Sequence, residues 1–75
     1  MKDRTFEISK LVGKNIKAFR VKKDLTQSQL AERALMSANM IGHIERGEKS
    51  PTVETLAGIA NALNIDLYKL FIFED

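Results

Sequence analysis

Residues 26–47 read TQSQLAERALMSANMIGHIERG and decide the fold of this chain. Apolar residues recur at helical spacing in residues 27–34 and again in residues 38–46. Thr26 and Ser37 stand immediately before these two segments. There a side-chain hydroxyl can accept a hydrogen bond from an otherwise unpaired N–H of the first helical turn. The pattern predicts two short helices joined by a tight turn.

The sequence on either side of this pair also has a helical pattern. Residues 6–22 form an amphipathic segment with five apolar residues at helical spacing: Ile8, Leu11, Val12, Ile16 and Phe19. After a loop at residues 48–51, a fourth helix is predicted from Thr52, which caps it, to Asn64, which can end it in place of glycine. A fifth short helix, capped by Asp66, is predicted to contain three apolar residues: Leu67, Leu70 and Phe71. No alternating apolar and polar stretch of useful length occurs, so the chain is predicted to be all-α, a compact bundle of five short helices.

Length and composition argue against most catalytic and membrane functions. The chain has 75 residues, no Cys and one His. These counts predict a single domain over residues 1–75, without disulfides, thiol catalysis or a zinc site. The longest apolar run, residues 70–73, is far shorter than the ~20 residues of a membrane-spanning helix, and the charged N-terminus does not resemble a signal peptide. We therefore expect a cytoplasmic protein that is not an enzyme and that binds no cofactor and no metal.

Charge is unevenly distributed along the chain. Residues 1–23 carry eight basic and two acidic residues, a net charge of +6. Residues 24–75 carry four basic and eight acidic residues, a net charge of −4. A basic end suits a polyanionic partner such as nucleic acid, but a solvated helix face has the same composition, and charge alone leaves both interpretations open.

The second helix of the predicted pair has a polar outward face. Ile41 and Ile44 define its inward side, and the opposite side carries Asn39, His43 and Arg46, flanked by Met40 and Gly42. Asparagine can pair with adenine, and arginine can bind guanine or phosphate, in a major groove ~12 Å wide that admits one helix. The structural alternatives are a solvent-exposed histidine, an asparagine that helps to cap the helix, and an arginine that compensates the helix C-terminus.

Several short motifs stand in a fixed order around this pair: LTQSQLAER at residues 25–33, Ile41, IERG at 44–47, SPT at 50–52, ETL at 54–56, Ile59-Ala60 and Ala62-Leu63. In this order and spacing they resemble the Cro/C1-type helix-turn-helix family. That family includes phage repressors, restriction–modification controller proteins and many antitoxins. The resemblance extends over about residues 11–71. It implies a lambda-repressor-like DNA-binding domain at residues 16–70, with the helix-turn-helix motif at residues 27–46.

The resemblance also implies which residues contact double-stranded DNA. The contacts to phosphates and the DNA backbone would come from four residues: Gln27, Ser37, Arg46 and Lys49. The contacts to bases would come from Ala38, Asn39, Gly42 and His43. Of these, Asn39 and His43 are the better base readers, because alanine offers at most apolar contact with a thymine methyl group. Met40 would either contact DNA or pack beside Ile44.

Two further positions bear on the architecture of the motif. The resemblance implies an internal ion pair between Arg20 and Glu45, and both residues also stand at the margins of the apolar arcs of their helices. We interpret this pair as structural. The family usually has glycine at the position of Leu35, because the backbone there adopts positive φ. A leucine in that conformation costs roughly 1–2 kcal/mol, so we expect either a different turn or burial of the leucine.

Helix-turn-helix proteins usually bind DNA as dimers, because one recognition helix reads few bases. The C-terminal stretch at residues 67–73 is more apolar than one short helix needs, and Ile72 and Phe73 are the candidates for a homodimer interface. Packing of this stretch onto the domain's own core is the alternative. We predict a sequence-specific transcriptional regulator of the repressor or controller type that binds a palindromic operator. An antitoxin or adaptor that mainly binds a partner protein is the second hypothesis, and a binder without sequence preference is the third.

Overall fold

The structure of this chain, a computed structural model, describes residues 5–74. Four α-helices and a C-terminal 3-10 helix follow one another: α1 Thr5–Lys22, α2 Gln27–Arg33, α3 Ala38–Glu45, α4 Val53–Ala62 and the 3-10 helix Leu67–Phe71. No β-strand occurs in the described range. The predicted all-α class is confirmed, but the fifth helix is a 3-10 helix. Within the same residues, no helix is long and apolar enough to cross a membrane.

Side-chain caps fix where the central helices begin. The Thr26 hydroxyl accepts a hydrogen bond from the Gln29 amide at 3.0 Å, and the Gln29 side-chain oxygen accepts one from the Thr26 amide at 2.9 Å. Ser37 and Thr52 each accept one hydrogen bond from the amide three residues ahead, at 3.1 Å. These bonds satisfy N–H groups that the first helical turn leaves unpaired, as the sequence predicts.

The C-terminal segment departs from the prediction at Asp66. Its side chain makes no capping hydrogen bond. Instead, the Asp66 carbonyl oxygen accepts a hydrogen bond from the Lys69 amide at 3.1 Å, which is the three-residue bond of a 3-10 turn. That amide is one of the two that a capping carboxylate can bind, and here the backbone carbonyl uses it instead. Asn64 follows α4 at φ +57°, as predicted for a residue that replaces glycine there.

Every helix contributes to one hydrophobic core. Its buried residues are Val12, Ile16, Leu25, Leu30, Ala31, Ile41, Ile44, Leu56, Ile59, Ala60, Leu63 and Leu70. Ile8 lies on the apolar face predicted for the first helix but is 42% exposed, and Phe71 is 41% exposed. With Val53 they line a shallow apolar groove between the starts of α1 and α4 and the 3-10 helix. Helical spacing defines the face on which a residue lies, but not whether a neighbouring helix extends far enough to cover it.

Gly13 allows α1 to approach α3 closely. A Cβ atom at this position would overlap the carbonyl oxygen of Ile44 and would lie 2.7 Å from that of Glu45. The backbones of the two helices are therefore in direct contact at the C-terminal end of α3. This contact holds the second helix of the motif against α1, because any larger residue would push the two helices apart.

Leu35 occupies the turn between α2 and α3 with φ +57°, the left-handed conformation for which the family uses glycine. Its side chain is 94% exposed. Both sequence-based expectations for this residue are wrong, because the turn is not altered and the leucine is not buried. The turn is held by a hydrogen bond from the Met36 amide to the Ala31 carbonyl oxygen at 2.8 Å, which does not depend on the residue type at position 35.

Candidate nucleic-acid interface

The two sides of α3 differ in exposure and chemistry. Ile41 and Ile44 are 0% and 2% exposed and pack into the core. Asn39 and Arg46 are exposed on the other side, and His43 is partly exposed beside them. Contacts with α1 and α2 hold the inner side of the helix. The outer side therefore presents an amide, an imidazole and a guanidinium to an approaching partner.

A buried ion pair fixes α3 to the rest of the domain. The Arg20 guanidinium donates to both carboxylate oxygens of Glu45, with Nε–Oε2 at 2.6 Å and Nη2–Oε1 at 3.1 Å. A third nitrogen, Nη1, donates to the Leu25 carbonyl oxygen at 2.8 Å. Arg20 is 9% exposed and Glu45 is 7% exposed. This bidentate geometry satisfies the buried charges and gives α3 a defined orientation relative to α1.

Gln27 links α2 to the same cluster. Its side-chain amide donates to Glu45 Oε1 at 3.1 Å, so one carboxylate connects α1, α2 and α3. The Gln27 and Arg46 side chains also pass over Gly42, where an added Cβ would lie 3.6 Å from the Gln27 amide and 3.0 Å from Arg46 Nη1. Gly42 is buried beneath these two side chains. Its small size provides the space in which they pack.

The C-terminal end of α3 carries a second, exposed polar cluster. Glu48 Oε1 lies 2.7 Å from His43 Nδ1, and Arg46 Nε donates to Glu48 Oε2 at 3.1 Å. The hydrogen bond from Arg46 lowers the pKa of the Glu48 carboxyl most, and the one from His43 lowers that pKa further. Two of the residues predicted to contact DNA are therefore bound to one carboxylate.

Glu48 is a residue of this surface that the sequence analysis missed. Gly47, at φ +75°, reverses the chain after α3, and the Glu48 amide then donates to the His43 carbonyl oxygen at 2.9 Å. This reversal returns the residue after the glycine to the last turn of the helix. The IERGE pattern carries a usable signal, since an acidic residue after a C-terminal glycine lies beside basic residues of that turn.

The remaining residues predicted to contact DNA lie around α3 and differ in their exposure and hydrogen bonding. The Ser37 hydroxyl is engaged in the cap, and Ala38 is partly buried. Met40 is 38% exposed and, with Lys49, lines a groove between α3 and the loop before α4. The Asn39 side chain makes no hydrogen bond within residues 5–74. Its amide is therefore available to a ligand.

The two residues predicted for a dimer interface differ in exposure. Ile72 is 55% exposed, whereas Phe73 is half-buried and packs against the core. Asn15 Nδ2 donates to the carbonyl oxygens of Leu70 and Ile72, both at 2.9 Å, which fixes the C-terminal segment against α1. Tyr68, 61% exposed, adds an aromatic side chain to the same end of the molecule.

These features together define a helix-turn-helix DNA-binding domain. Two short capped helices meet across a tight turn, and the second is held against α1 and α2 with a polar face exposed. This is the arrangement in which a recognition helix enters the major groove.

Comparisons with known proteins identify the family. A family model described as Helix-turn-helix matches residues 16–70. The chain is 36% identical to Control protein C.SmaI of Serratia marcescens over 64 residues, which are 85% of this chain and 76% of that protein. It is 45% identical to the Immunity repressor protein of Bacillus phage phi105 over 56 residues, which are 75% of this chain but only 39% of that protein. The chain therefore belongs to the Cro/C1-type helix-turn-helix family and is a DNA-binding transcriptional regulator.

The fold is also shared with a solved controller protein. The restriction-modification controller protein C.AhdI from Aeromonas hydrophila superimposes with a TM-score of 0.88 at 26% sequence identity. The match covers 93% of this chain and 100% of that chain. The same overall fold thus exists in a protein of similar length.

Proposed function

We propose that the protein controls transcription by binding a roughly palindromic operator as a homodimer, in the cytoplasm and without catalytic activity. The exposed polar face of α3, with Asn39, His43 and Arg46, is the observation that carries this proposal. The buried pair of Arg20 and Glu45 gives this face a fixed orientation before DNA is bound. Preorganisation of this kind reduces the ordering cost of binding. The similarity to an immunity repressor and to a control protein supports the regulatory role.

The contact residues divide into two groups by position. Asn39, at the start of α3, has a free side-chain amide that can pair with adenine, and His43 lies one turn further along the same face. The backbone of the DNA would be met by residues at the ends of α2 and α3 and in the following loop: Gln27, Ser37, Arg46 and Lys49. Base contacts specify the sequence, and phosphate contacts fix the position of the protein on it.

The homodimer would form through the C-terminal end of the chain. Ile72 and Tyr68 expose apolar surface there, and Phe73 joins them to the core. An isologous interface at this end would present two recognition helices to half-sites ~34 Å apart. Sedimentation equilibrium at micromolar concentrations would detect this dimer, and Ile72→Asp should shift it to monomer because a buried charge opposes the interface.

Selection from randomised duplex DNA, followed by sequencing at two salt concentrations, tests the function. Recovery of a two-fold symmetric motif is the expected result. Asn39→Ala should then weaken the free energy of binding to the selected site by ~1–3 kcal/mol and change binding to random DNA little. Lys49→Ala is the matched control, because loss of a phosphate contact should weaken both DNAs equally and reduce the salt slope by about one.

Recovery of no motif, with only weak and salt-sensitive binding, would overturn the proposal. That result would favour a main partner that is a protein, as in an antitoxin or adaptor. An equal loss on both DNAs for Asn39→Ala would remove Asn39 from the base contacts while leaving the regulatory function in place.

A further inference from the structure

The contact between Glu48 and His43 fixes the position of a proton. A carboxylate can only accept hydrogen bonds, so at 2.7 Å the donor must be His43 Nδ1. The pKa of Glu48 is lowered, first by the hydrogen bond from Arg46 and then by the one from His43, so the carboxylate is ionised at neutral pH. Arg46 Nη2 also approaches Nδ1, at 3.5 Å, but it cannot donate to a nitrogen that already carries a hydrogen.

The other ring nitrogen of His43 then has a defined role. In a neutral imidazole whose Nδ1 carries the hydrogen, Nε2 is a hydrogen-bond acceptor. Within residues 5–74, Nε2 has no protein partner, and the His43 side chain is 43% exposed. The carboxylate that holds Nδ1 also accepts the hydrogen bond from Arg46 Nε, at 3.1 Å. In its neutral form, His43 therefore presents an acceptor on the outer face of α3.

We propose that Glu48 is a specificity-determining residue, which holds His43 in the Nδ1–H tautomer so that Nε2 accepts a hydrogen bond from a base. In the major groove, only the N6 amino group of adenine and the N4 amino group of cytosine can donate to it. Guanine and thymine present acceptors at the corresponding edge and are disfavoured. This inference rests on the proposed sequence-specific binding. It adds a positioning residue that lies outside α3 and needs no contact with DNA itself.

Glu48 has a second effect through Arg46. While Glu48 Oε2 accepts the hydrogen bond from Arg46 Nε, the guanidinium charge is partly neutralised and less available to a phosphate. Removal of Glu48 should therefore raise the affinity for all DNA while it lowers the discrimination between bases. A side chain with a merely structural role would not change affinity and specificity in opposite directions.

The first test is a nitrogen-15 NMR measurement on the free protein at pH 8, where a free imidazole is neutral. His43 is the single histidine of the chain, so its two ring signals are assigned without ambiguity. The wild type should show the Nδ1–H tautomer. Glu48→Ala should shift the signals toward the Nε2–H tautomer, which an unconstrained imidazole favours in water. An Nε2–H tautomer in the wild type would overturn the inference, whatever the protein binds.

The second test measures binding to the selected DNA site and to its three variants at each base position. Glu48→Ala should reduce the preference for adenine or cytosine at one position about tenfold, and should increase the salt slope by about one per recognition helix. Asp66→Ala is the matched control, since it removes an exposed carboxylate that makes no capping bond, and should leave the base preference unchanged. In a His43→Ala background, loss of Glu48 should not change the base preference further.

The outcomes separate this inference from the proposed function. A wild type that prefers no sequence overturns both. A sequence-specific wild type whose base preferences survive Glu48→Ala overturns the inference alone. A sequence-specific wild type that prefers guanine at the position affected by His43→Ala also overturns it, because guanine requires a donor at Nε2.

Discussion

Replacement of Leu35 by glycine should stabilise the protein. Leu35 stands at φ +57°, and an L-residue in this conformation costs roughly 1–2 kcal/mol. The leucine side chain is 94% exposed, so its removal sacrifices almost no buried apolar surface. Against this gain, glycine loses more backbone freedom on folding, which costs roughly 0.5–1 kcal/mol. We expect a net stabilisation of about 0.5–1 kcal/mol, which raises the Tm of a domain of this size by about 2–8 °C.

Thermal and urea unfolding of the wild type, Leu35→Gly and Leu35→Ala measure this effect. Leu35→Ala is the decisive control, because it removes the exposed side chain but keeps the Cβ atom that causes the strain. It should remain within about 0.5 kcal/mol of the wild type. If the glycine variant is no more stable than the alanine variant, the turn is not strained and the reasoning is refuted. DNA affinity should be equal in all three proteins, since the exposed leucine is not part of the proposed DNA surface.

Four further substitutions test the packing and the polar clusters. In urea unfolding, Gly13→Ala should destabilise the fold by about 2–3 kcal/mol, because its Cβ would overlap the α3 backbone. Gly58→Ala should stabilise α4 by about 0.5–1 kcal/mol, because the space around Gly58 is open. Changes of the same sign in both variants would contradict this reading of the packing. Arg20→Ala should lower the free energy of unfolding by about 3–5 kcal/mol, because it leaves the buried Glu45 carboxylate without its counter-charge. An unchanged Tm would show that the pair is dispensable. An NMR titration should place the pKa of Glu48 in the folded protein below that of a glutamate in the unfolded chain. The stabilisation from its hydrogen bonds is therefore complete at pH values above the unfolded-state pKa, and it is lost as the pH falls through the folded-state pKa. Arg46→Ala should raise this pKa most, and no change would exclude the pairing.

The sequence predicts well those features that local chemistry determines. The caps at Thr26, Ser37 and Thr52 each depend on a hydroxyl and an amide three residues away, so a short window contains all the information. The inward direction of Ile41 and Ile44 follows in the same way from helical periodicity. The predicted cap at Asp66 is absent. The chain forms a 3-10 turn there instead of an α-helix, and the Asp66 carbonyl oxygen accepts the hydrogen bond from the Lys69 amide.

Features that depend on the meeting of distant segments were less predictable. The exposure of Ile8 depends on how the start of α1 meets Val53 and Phe71 across a groove, which no local pattern encodes. The exposed, strained state of Leu35 is not required by packing, and nothing in the structure explains why leucine stands there. Glu48 was missed because its role depends on the chain reversal at Gly47, which brings it back to His43.

The distribution of charge in the folded protein differs from its distribution along the chain. Lys10 packs against Gly47, which directly follows the C-terminal cap of α3, and an added Cβ there would lie 2.5 Å from Lys10 Cγ. The Arg20 charge is paired inside the domain, and other lysines line a groove between α1 and the 3-10 helix: Lys22, Lys23 and Lys69. Beside the outer face of α3, the Glu48 carboxylate is paired with Arg46. The salt dependence of DNA binding scales with the number of phosphates that the protein neutralises. Because several of the positive charges are paired or lie away from α3, we expect this dependence to be shallow. Discrimination between operators then rests on the few polar groups of α3 and on the shape of the DNA.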